Sequence, residues 1–129
     1  GWLWGKIYTK EDAIVWAKVF KTKNISSNIL VISNKNGEYI NLKSSEINFI
    51  ADNYKKVKKR MIPNHFNLNV KNDDISIVID MKSEEVHHQK ALGFTNYYRY
   101  HMECKGKIKI DSKEEKINDV LICEFLRFG

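Results

Sequence analysis

Apolar and polar residues alternate along most of this chain. Residues 66–71 read FNLNVK and residues 75–80 read ISIVID, so alternate side chains are apolar in both stretches. This period is typical of extended chain, whose successive side chains leave on opposite faces of a strand. We therefore predict an all-β protein with little helix, in which antiparallel strands form a barrel or a sandwich.

Turn residues divide the chain into strands. Asn36-Gly37 lies between two apolar runs and is a strong hairpin signal, because both residues tolerate a positive φ. Asn72-Asp73 marks another hairpin, and Pro63 is placed in a connection, where its missing N–H removes no ladder hydrogen bond. Ser44–Asn53 is the best helical candidate, although strand is predicted there as well. The predicted strands cover residues 2–9, 12–21, 28–33, 38–43, 45–52, 64–71, 74–82, 85–110 with a bend or bulge at Gly93, and 116–128.

Two of the predicted strands are apolar on both faces. Residues 13–20 (AIVWAKVF) and residues 120–128 (VLICEFLRF) carry apolar side chains at odd and even positions alike. A barrel in water needs only an apolar inner face. We therefore expect either that a second domain or an identical subunit covers the outer face of these strands, or that a bulge switches the faces.

The charge of the chain comes mainly from lysine. The 129 residues include 22 Lys and Arg against 16 Asp and Glu, for a formal net charge of +6. Arginine occurs only at Arg60, Arg99 and Arg127, whereas a nucleic-acid-binding surface would use more arginine for bidentate contacts. Abundant Lys, Asn and Ile are typical of AT-rich codons, so we expect no nucleic-acid partner.

The apolar runs are too short for a membrane-spanning helix, which needs roughly 18 residues or more. The start GWLWGKIY also lacks the basic and apolar regions of a signal peptide. We expect no integral membrane contact and a cytoplasmic location, with Gly1 marking a tag remnant, a cleavage product or an excised piece. Cys104 and Cys123 are then expected to be free thiols, although a cross-strand disulfide is an alternative.

Short motifs near both ends of the chain resemble one known family. They are W-x-W-G-K-I-Y at Trp2–Tyr8, the following Asp12–Ala17, and Tyr97-Tyr98, Gly106, Glu124-Phe125 and Arg127–Gly129. These stretches are similar to carotenoid 1,2-hydratase (hydroxyneurosporene synthase) and AttH-like proteins, which carry two lipocalin-like barrels in tandem. The resemblance implies that residues 1–129 are one such domain, matching the C-terminal one, with a companion domain. Together with the alternation, it predicts an antiparallel up-and-down β-barrel of lipocalin or calycin type with eight to nine strands.

A pair of carboxylates is the candidate for catalysis. A hairpin centred on residues 113–114 would set Glu103 opposite Glu124 and Cys104 opposite Cys123. Two buried facing carboxylates cannot both ionise cheaply, so one could act as a general acid for alkene hydration. The alternative is an exposed charge ladder of little energetic weight, and a one-residue change of register removes the pairing. Although the related group includes terpenoid hydratases and cyclases, none of their catalytic residues matches a position here.

Aromatic side chains and one methionine are the candidates for ligand binding. An aromatic ring with a polar tip can hold a mostly hydrophobic molecule in one orientation. The alternative is ordinary core, because an eight-stranded barrel is barely wider inside than its own side chains. The candidates are Trp2, Trp4, Trp16, Tyr98, Tyr100, Met102 and Phe125.

Signals for metals and cofactors are weak. His87 and His88 are adjacent and face opposite sides of a strand, and the sequence has no Cys-x-x-Cys or His-x-x-x-His motif. It also has no glycine-rich phosphate loop and no nucleophile motif. Tyr54–Arg60 (YKKVKKR) could contact phosphate or acidic lipid, but we expect a solvated turn between strands there. We expect no metal and no cofactor.

The expected function is the binding of a small apolar ligand, lipid-like or isoprenoid-like. One alternative is a terpenoid hydratase or cyclase that uses Glu103 or Glu124 as an acid. The other is a structural β-domain whose outer apolar face pairs with an identical subunit or a companion domain. A connected cavity above roughly 300 Å³ would favour ligand binding, and a carboxylate buried in that cavity would favour the enzyme. A filled barrel with an apolar outer patch would favour the interface.

Overall fold

Nine antiparallel strands form one sheet in the computed structural model, which describes residues 1–22, 24–91, 93 and 95–128, without the side chains of residues 91 and 128. Two further short strands form a separate hairpin. In chain order the strands are β1 (Trp2–Tyr8), β2 (Asp12–Phe20), β3 (Ser26–Asn34), β4 (Tyr39–Leu42), β5 (Ile47–Asp52), β6 (Lys55–Val57), β7 (Arg60–Ile62), β8 (His65–Lys71), β9 (Ile75–Ala91), β10 (Thr95–Ile110) and β11 (Lys113–Phe128).

The large sheet curls into a nearly closed barrel. Its strand order is β4-β3-β2-β1-β11-β10-β9-β8-β5, so pairing of β1 with β11 joins the two ends of the chain. The remaining seam lies between β3 and β5. Side chains bridge it, because Asn28 Nδ2 donates to the Ile47 carbonyl at 3.3 Å and Lys18 Nζ donates to the Phe49 carbonyl at 3.2 Å. The predicted all-β, up-and-down barrel is confirmed.

Alternation places one apolar set inside this barrel. Removing an aliphatic or aromatic side chain from water stabilises the fold by about 1.5–3 kcal/mol, so the strands close around these residues. The interior includes Leu3, Ile7, Ile14, Trp16, Leu30, Ile32, Phe49, Phe66, Leu68, Val70, Ile77, Ile79, Met81, Tyr98, Tyr100, Met102, Cys104 and Cys123, all buried.

Most predicted strand boundaries are close to the observed ones. The predictions over residues 2–9, 12–21 and 64–71 are confirmed to within one residue. Residues 44–46 form a 3₁₀ turn, and the predicted strand at 45–52 begins after it. Pro63 lies in the connection between β7 and β8, as predicted.

The prediction of a strand end near residue 82 was wrong. Residues 75–91 form one strand, which carries a bulge where His101 pairs with Glu85 and Met102 pairs with Ser83. The unpaired Glu84 shifts the inward side chains from odd to even positions. The alternation of apolar and polar residues breaks at the bulge, which is why the sequence pattern predicted that the strand ended there. Gly93 lies in the connection that follows, with φ +75°.

The predicted register of the last hairpin was also wrong. Asp111 has φ +55° and makes a tight turn with Ser112, so β10 pairs with β11 from Ile110↔Lys113 upwards. The observed register is offset by four residues from the predicted one. Because four is even, each side chain keeps its predicted face but has a different partner.

A short hairpin covers the upper end of the barrel, which is the end where β2, β9 and β11 finish. Residues 55–62 form β6 and β7 around Lys58 and Lys59, both at positive φ. The lysines are exposed, as predicted for a solvated turn, but Ile62 is fully buried. We call residues 53–64 the cap hairpin.

Candidate functional site

Five of the seven predicted ligand-binding residues share the barrel interior. Trp16, Tyr98, Tyr100 and Met102 are at most 1% exposed, and Phe125 is 8% exposed. They belong to one packed cluster. Its contacts include Trp16 stacked on Phe49 at 4.9 Å between ring centroids, Phe66 against Tyr100 at 5.2 Å and Tyr98 against Phe125 at 6.0 Å. Side chains packed this tightly belong to the hydrophobic core.

The other two, Trp2 and Trp4, do not join them. Leu3, Gly5 and Ile7 of β1 face inward, so alternation turns Trp2 and Trp4 to the outer face of the barrel. The seven candidates therefore cannot line one pocket. Sequence could identify the alternation but not which set faced inward, because both faces of neighbouring β2 are apolar.

The outer face of β1 and β11 is mainly apolar, with Lys6 and Glu124 between its apolar side chains. Trp2 is 41% exposed, and Tyr8, Val120 and Ile122 on the same outer face are also exposed. Half-buried Trp4, Val15, Ala17, Val19 and Leu126 extend the surface across β2, β1 and β11. We call these nine residues the β1/β11 face.

A groove of about 400 Å³ runs along this face. Trp4, Tyr8, Val120, Leu121 and Ile122 supply its apolar lining. The polar lining comes from Lys6, Arg99 and Glu124. Its volume falls within the range of ligand pockets, but it lies on the outside of the sheet rather than in the lumen.

Charged residues cross the groove in a row. Trp4 pairs with Glu124, which in turn pairs with Arg99 on β10. Lys6 Nζ lies 5.9 Å from the centroid of Trp4, a cation–π distance. Burial raises the pKa of Tyr97, and the negative charge of Glu124 and its hydrogen bond with Tyr97 raise it further. The face thus presents both signs of charge within an apolar surround.

The structure does not bring the two candidate catalytic carboxylates together. Glu103 lies opposite Val120 and Glu124 lies opposite Arg99, because the tight turn at Asp111 sets the register. Glu103 instead forms an ion pair with Lys105 at 2.8 Å, which lowers the pKa of that carboxyl. This arrangement favours the exposed charge ladder over a facing pair with a raised pKa.

The two cysteines are free and buried. The same offset of register sets Cys104 opposite Asp119 and Cys123 opposite Tyr100, so the two thiols do not face each other. Burial raises the pKa of Cys104 to about 12 and raises the pKa of Cys123 well above its usual value. The expectation of free thiols is confirmed.

The upper end of the barrel interior is polar. His88 Nε2 and Asn96 Oδ1 are 2.8 Å apart, and the rings of His88 and Tyr98 are 4.9 Å apart. Arg127 Nη1 donates to the Met61 carbonyl at 3.0 Å, and Tyr100 Oη donates to the Pro63 carbonyl at 2.9 Å. These last two bonds attach the cap hairpin to β10 and β11.

No sequence motif predicts one cluster of ionisable side chains on the barrel. His65 on β8 lies between two carboxylates, with Nδ1 2.6 Å from Asp52 Oδ1 and Nε2 2.5 Å from Asp80 Oδ1. Desolvation lowers the pKa of His65, but the hydrogen bonds and charges of Asp52 and Asp80 outweigh it, so the pKa is raised. Asp52 and Asp80 are 13 and 15 positions from His65 in the sequence, so only strand pairing shows that the three residues meet.

A second pocket of about 230 Å³ lies at the lower end, between the β1–β2 turn and the β10–β11 hairpin. Ile108 and Ile110 form its floor, and Glu11 and Lys113 form an ion pair at its edge. Lys35 adds a second, longer ion pair to Glu11 at 3.7 Å. These exposed charges explain the pocket without a ligand.

Within the described residues, no group of three or more His, Cys, Asp or Glu side chains is placed to hold a metal ion. The part of the chain that the structure covers also contains no helix of the length and apolarity needed to cross a bilayer. No protein-family model, curated protein or solved structure matches this chain. The resemblance to the carotenoid 1,2-hydratase and AttH-like proteins therefore stays a prediction.

Proposed function

We propose that this domain is an interaction module that binds a second copy of itself through the β1/β11 face. The observation that carries the proposal is the mainly apolar surface around the groove on β2, β1 and β11. Four of its side chains, Trp2, Tyr8, Val120 and Ile122, are between 41% and 57% exposed. Large exposed apolar patches rimmed by polar residues mark interaction surfaces.

The packing of the barrel interior also favours an interface on the outer face. The candidate ligand-binding residues inside the barrel are packed against one another and have little or no accessible surface. The groove of about 400 Å³ opens on the outer face. An apolar partner would therefore gain more contact outside the barrel than within it.

A second copy is favoured by charge. A two-fold interface brings the same surface from both subunits together, so the surface must be complementary to itself. Lys6 and Arg99 provide positive charge beside the apolar side chains, and Glu124 provides negative charge. Each copy can then offer an opposite charge to the other, although the whole chain is basic.

The size of the face predicts a weak dimer. Three strands spaced about 4.8 Å apart and a run of about 20 Å from Trp2 to Tyr8 give a footprint on the order of 300 Å². This is small compared with the roughly 800 Å² per partner of a stable interface. We expect reversible dimers whose fraction rises with protein concentration.

Sedimentation velocity over about a hundredfold concentration range tests this proposal. The wild-type weight-average mass should rise towards that of a dimer, and Ile122→Lys should weaken the association by about tenfold or more. Ile50→Lys is the matched control, because Ile50 is similarly exposed (47% against 42%) but lies on β5. A wild type that remains monomeric, or two lysine variants that behave alike, would overturn the proposal.

A further inference from the structure

Two rows of inward-facing side chains define the upper end of the barrel interior. In the first, Lys18, Leu3, Phe125, Tyr98 and His88 follow one another across β2, β1, β11, β10 and β9. In the second, nearer the rim, Arg127 pairs with Asn96, which pairs with Lys90. The cap hairpin lies over both rows.

Two hydrogen-bond donors in these rows lack acceptors. Tyr98 is fully buried, and its hydroxyl has no hydrogen-bond partner among the described residues. Asn96 is 1% exposed; its Oδ1 is bonded to His88, but its Nδ2 is buried without a partner. Leaving a buried donor unsatisfied is unfavourable, because the group has given up its hydrogen bonds to water. Two such groups on one side of β10 indicate that an acceptor belongs between them.

The surroundings of these donors carry positive charge. Burial raises the pKa of the Tyr98 hydroxyl, whereas the nearby positive charges of Arg60 and Arg127 act to lower it. Lys18 points inward from β2, and burial lowers its pKa. Among the described residues of the two rows, none is an aspartate or a glutamate. An acceptor that also carries negative charge would therefore satisfy the two donors and would be attracted by the surrounding positive charges.

Apolar surface lies beside this positive end. The rings of Phe20 and Phe125 are 6.0 Å apart, and the rings of Tyr98 and Phe125 are also 6.0 Å apart. Val57 of the cap hairpin packs against the same core. Donors and cations next to aromatic rings match a molecule with an anionic head and a hydrocarbon chain.

We propose that the upper end of the barrel binds the carboxylate of an amphiphile with a hydrocarbon chain, the carboxylate accepting hydrogen bonds from Tyr98 Oη, Asn96 Nδ2 and the Arg127 guanidinium. The proposal is independent of self-association, because these residues face the interior and the β1/β11 face lies outside. The neutral hydroxyl of an alcohol lacks this charge attraction and should bind more weakly.

The cap hairpin must move for such a ligand to reach this end. Its strands β6 and β7 form their own two-stranded sheet, and its backbone is tied to the barrel at Asn64, whose N–H donates to the Asp52 carbonyl and whose carbonyl accepts from the Ser83 N–H. Arg127 holds it through the Met61 carbonyl, an acceptor that a carboxylate would replace. Binding should therefore increase amide exchange in the cap hairpin and leave the core of β10 protected.

Calorimetric titration with decanoate and with decanol tests the proposal. Decanoate should bind saturably and at least tenfold more tightly than decanol. Tyr98→Phe should weaken decanoate binding about tenfold while leaving the free protein as stable as the wild type or more stable, because it removes an unsatisfied donor. Tyr100→Phe is the matched control, since its hydroxyl already donates to Pro63; it should lower stability and leave decanoate affinity unchanged.

Three results would overturn this inference. They are the absence of saturable decanoate binding, equal affinity for decanol, and an unchanged decanoate affinity in Tyr98→Phe. Binding to the outer groove is recognised separately, because Ile122→Lys would then abolish decanoate binding. That outcome would also overturn the interior site, whereas loss of dimerisation alone would leave it standing.

Discussion

The indole of Trp16 lies directly against the backbone of Gly5, its partner across β1 and β2. A Cβ atom on Gly5 would stand 2.7 Å from Trp16 Cζ2, closer than carbon atoms approach. Trp16 is 1% exposed and stacks on Phe49 from the far side of the seam. The glycine of the W-x-W-G motif thus makes room for a ring that helps to close the barrel.

Gly5→Ala should therefore destabilise the protein by about 1–3 kcal/mol through overpacking. Trp16→Phe should also destabilise it, by leaving a cavity. The double variant should lose less than the sum of the two, because the smaller ring gives the new methyl group space. Urea unfolding of the three variants measures this coupling, and strictly additive losses would contradict the contact.

The Asp52–His65–Asp80 cluster should make stability depend on pH. The pKa of His65 is raised in the folded state, so its stabilisation is complete below the ordinary histidine pKa of about 6.5 and is lost as pH rises through the raised value. Both carboxylates are more than a third exposed, which limits the effect to about 1 kcal/mol or less.

Urea unfolding of wild type and His65→Gln at several pH values measures this effect. The difference between them should be largest on the acid side and shrink as pH rises. His87→Gln is the control, because His87 pairs with one exposed carboxylate, Glu85, at 3.2 Å. A difference that grows towards alkaline pH would contradict the assigned cluster.

The buried cysteines should resist modification in the folded protein. Burial raises the pKa of Cys104 to about 12 and raises that of Cys123 as well, so little thiolate forms at neutral pH. A disulfide-exchange reagent such as DTNB should label both only as fast as the protein unfolds. Ser112→Cys, in the exposed β10–β11 turn, provides a fast-reacting control. Rapid labelling of the wild type in native buffer would show that these sites are open.

Cross-linking can test the register of the final hairpin. Glu103 and Val120 are direct partners across β10 and β11, whereas Glu103 and Glu124 are four positions out of register. The double variant Glu103→Cys with Val120→Cys should form a disulfide under mild oxidation, because opposed residues have Cβ atoms about 4.5–5.5 Å apart. Glu103→Cys with Glu124→Cys should not. Peptide mapping distinguishes them, and the reverse result would support the register predicted from sequence.

The faces of the strands were predictable, but their partners were not. Along β10, Tyr98, Tyr100 and Met102 face inward and Arg99 faces outward, as alternation alone predicts. The partner of Glu103 depended on whether the β10–β11 turn contained two residues or more. The sequence did not distinguish these turns, because Asp111 could adopt a positive φ in either case. A local pattern constrains side-chain direction, whereas register depends on the geometry of one turn.

The chain by itself determined the fold class, because alternation at period two is a property of each segment and needs no partner. It also determined that β2 and β11 would be apolar on both sides. Only the tertiary structure decided which side would be the lumen, that the bulge at Glu84 would keep β9 continuous, and that His65 would meet Asp52 and Asp80. Each of these features depends on pairing between segments that are distant in the sequence. The local sequence permits several arrangements of these segments, and closure of the barrel selects one of them.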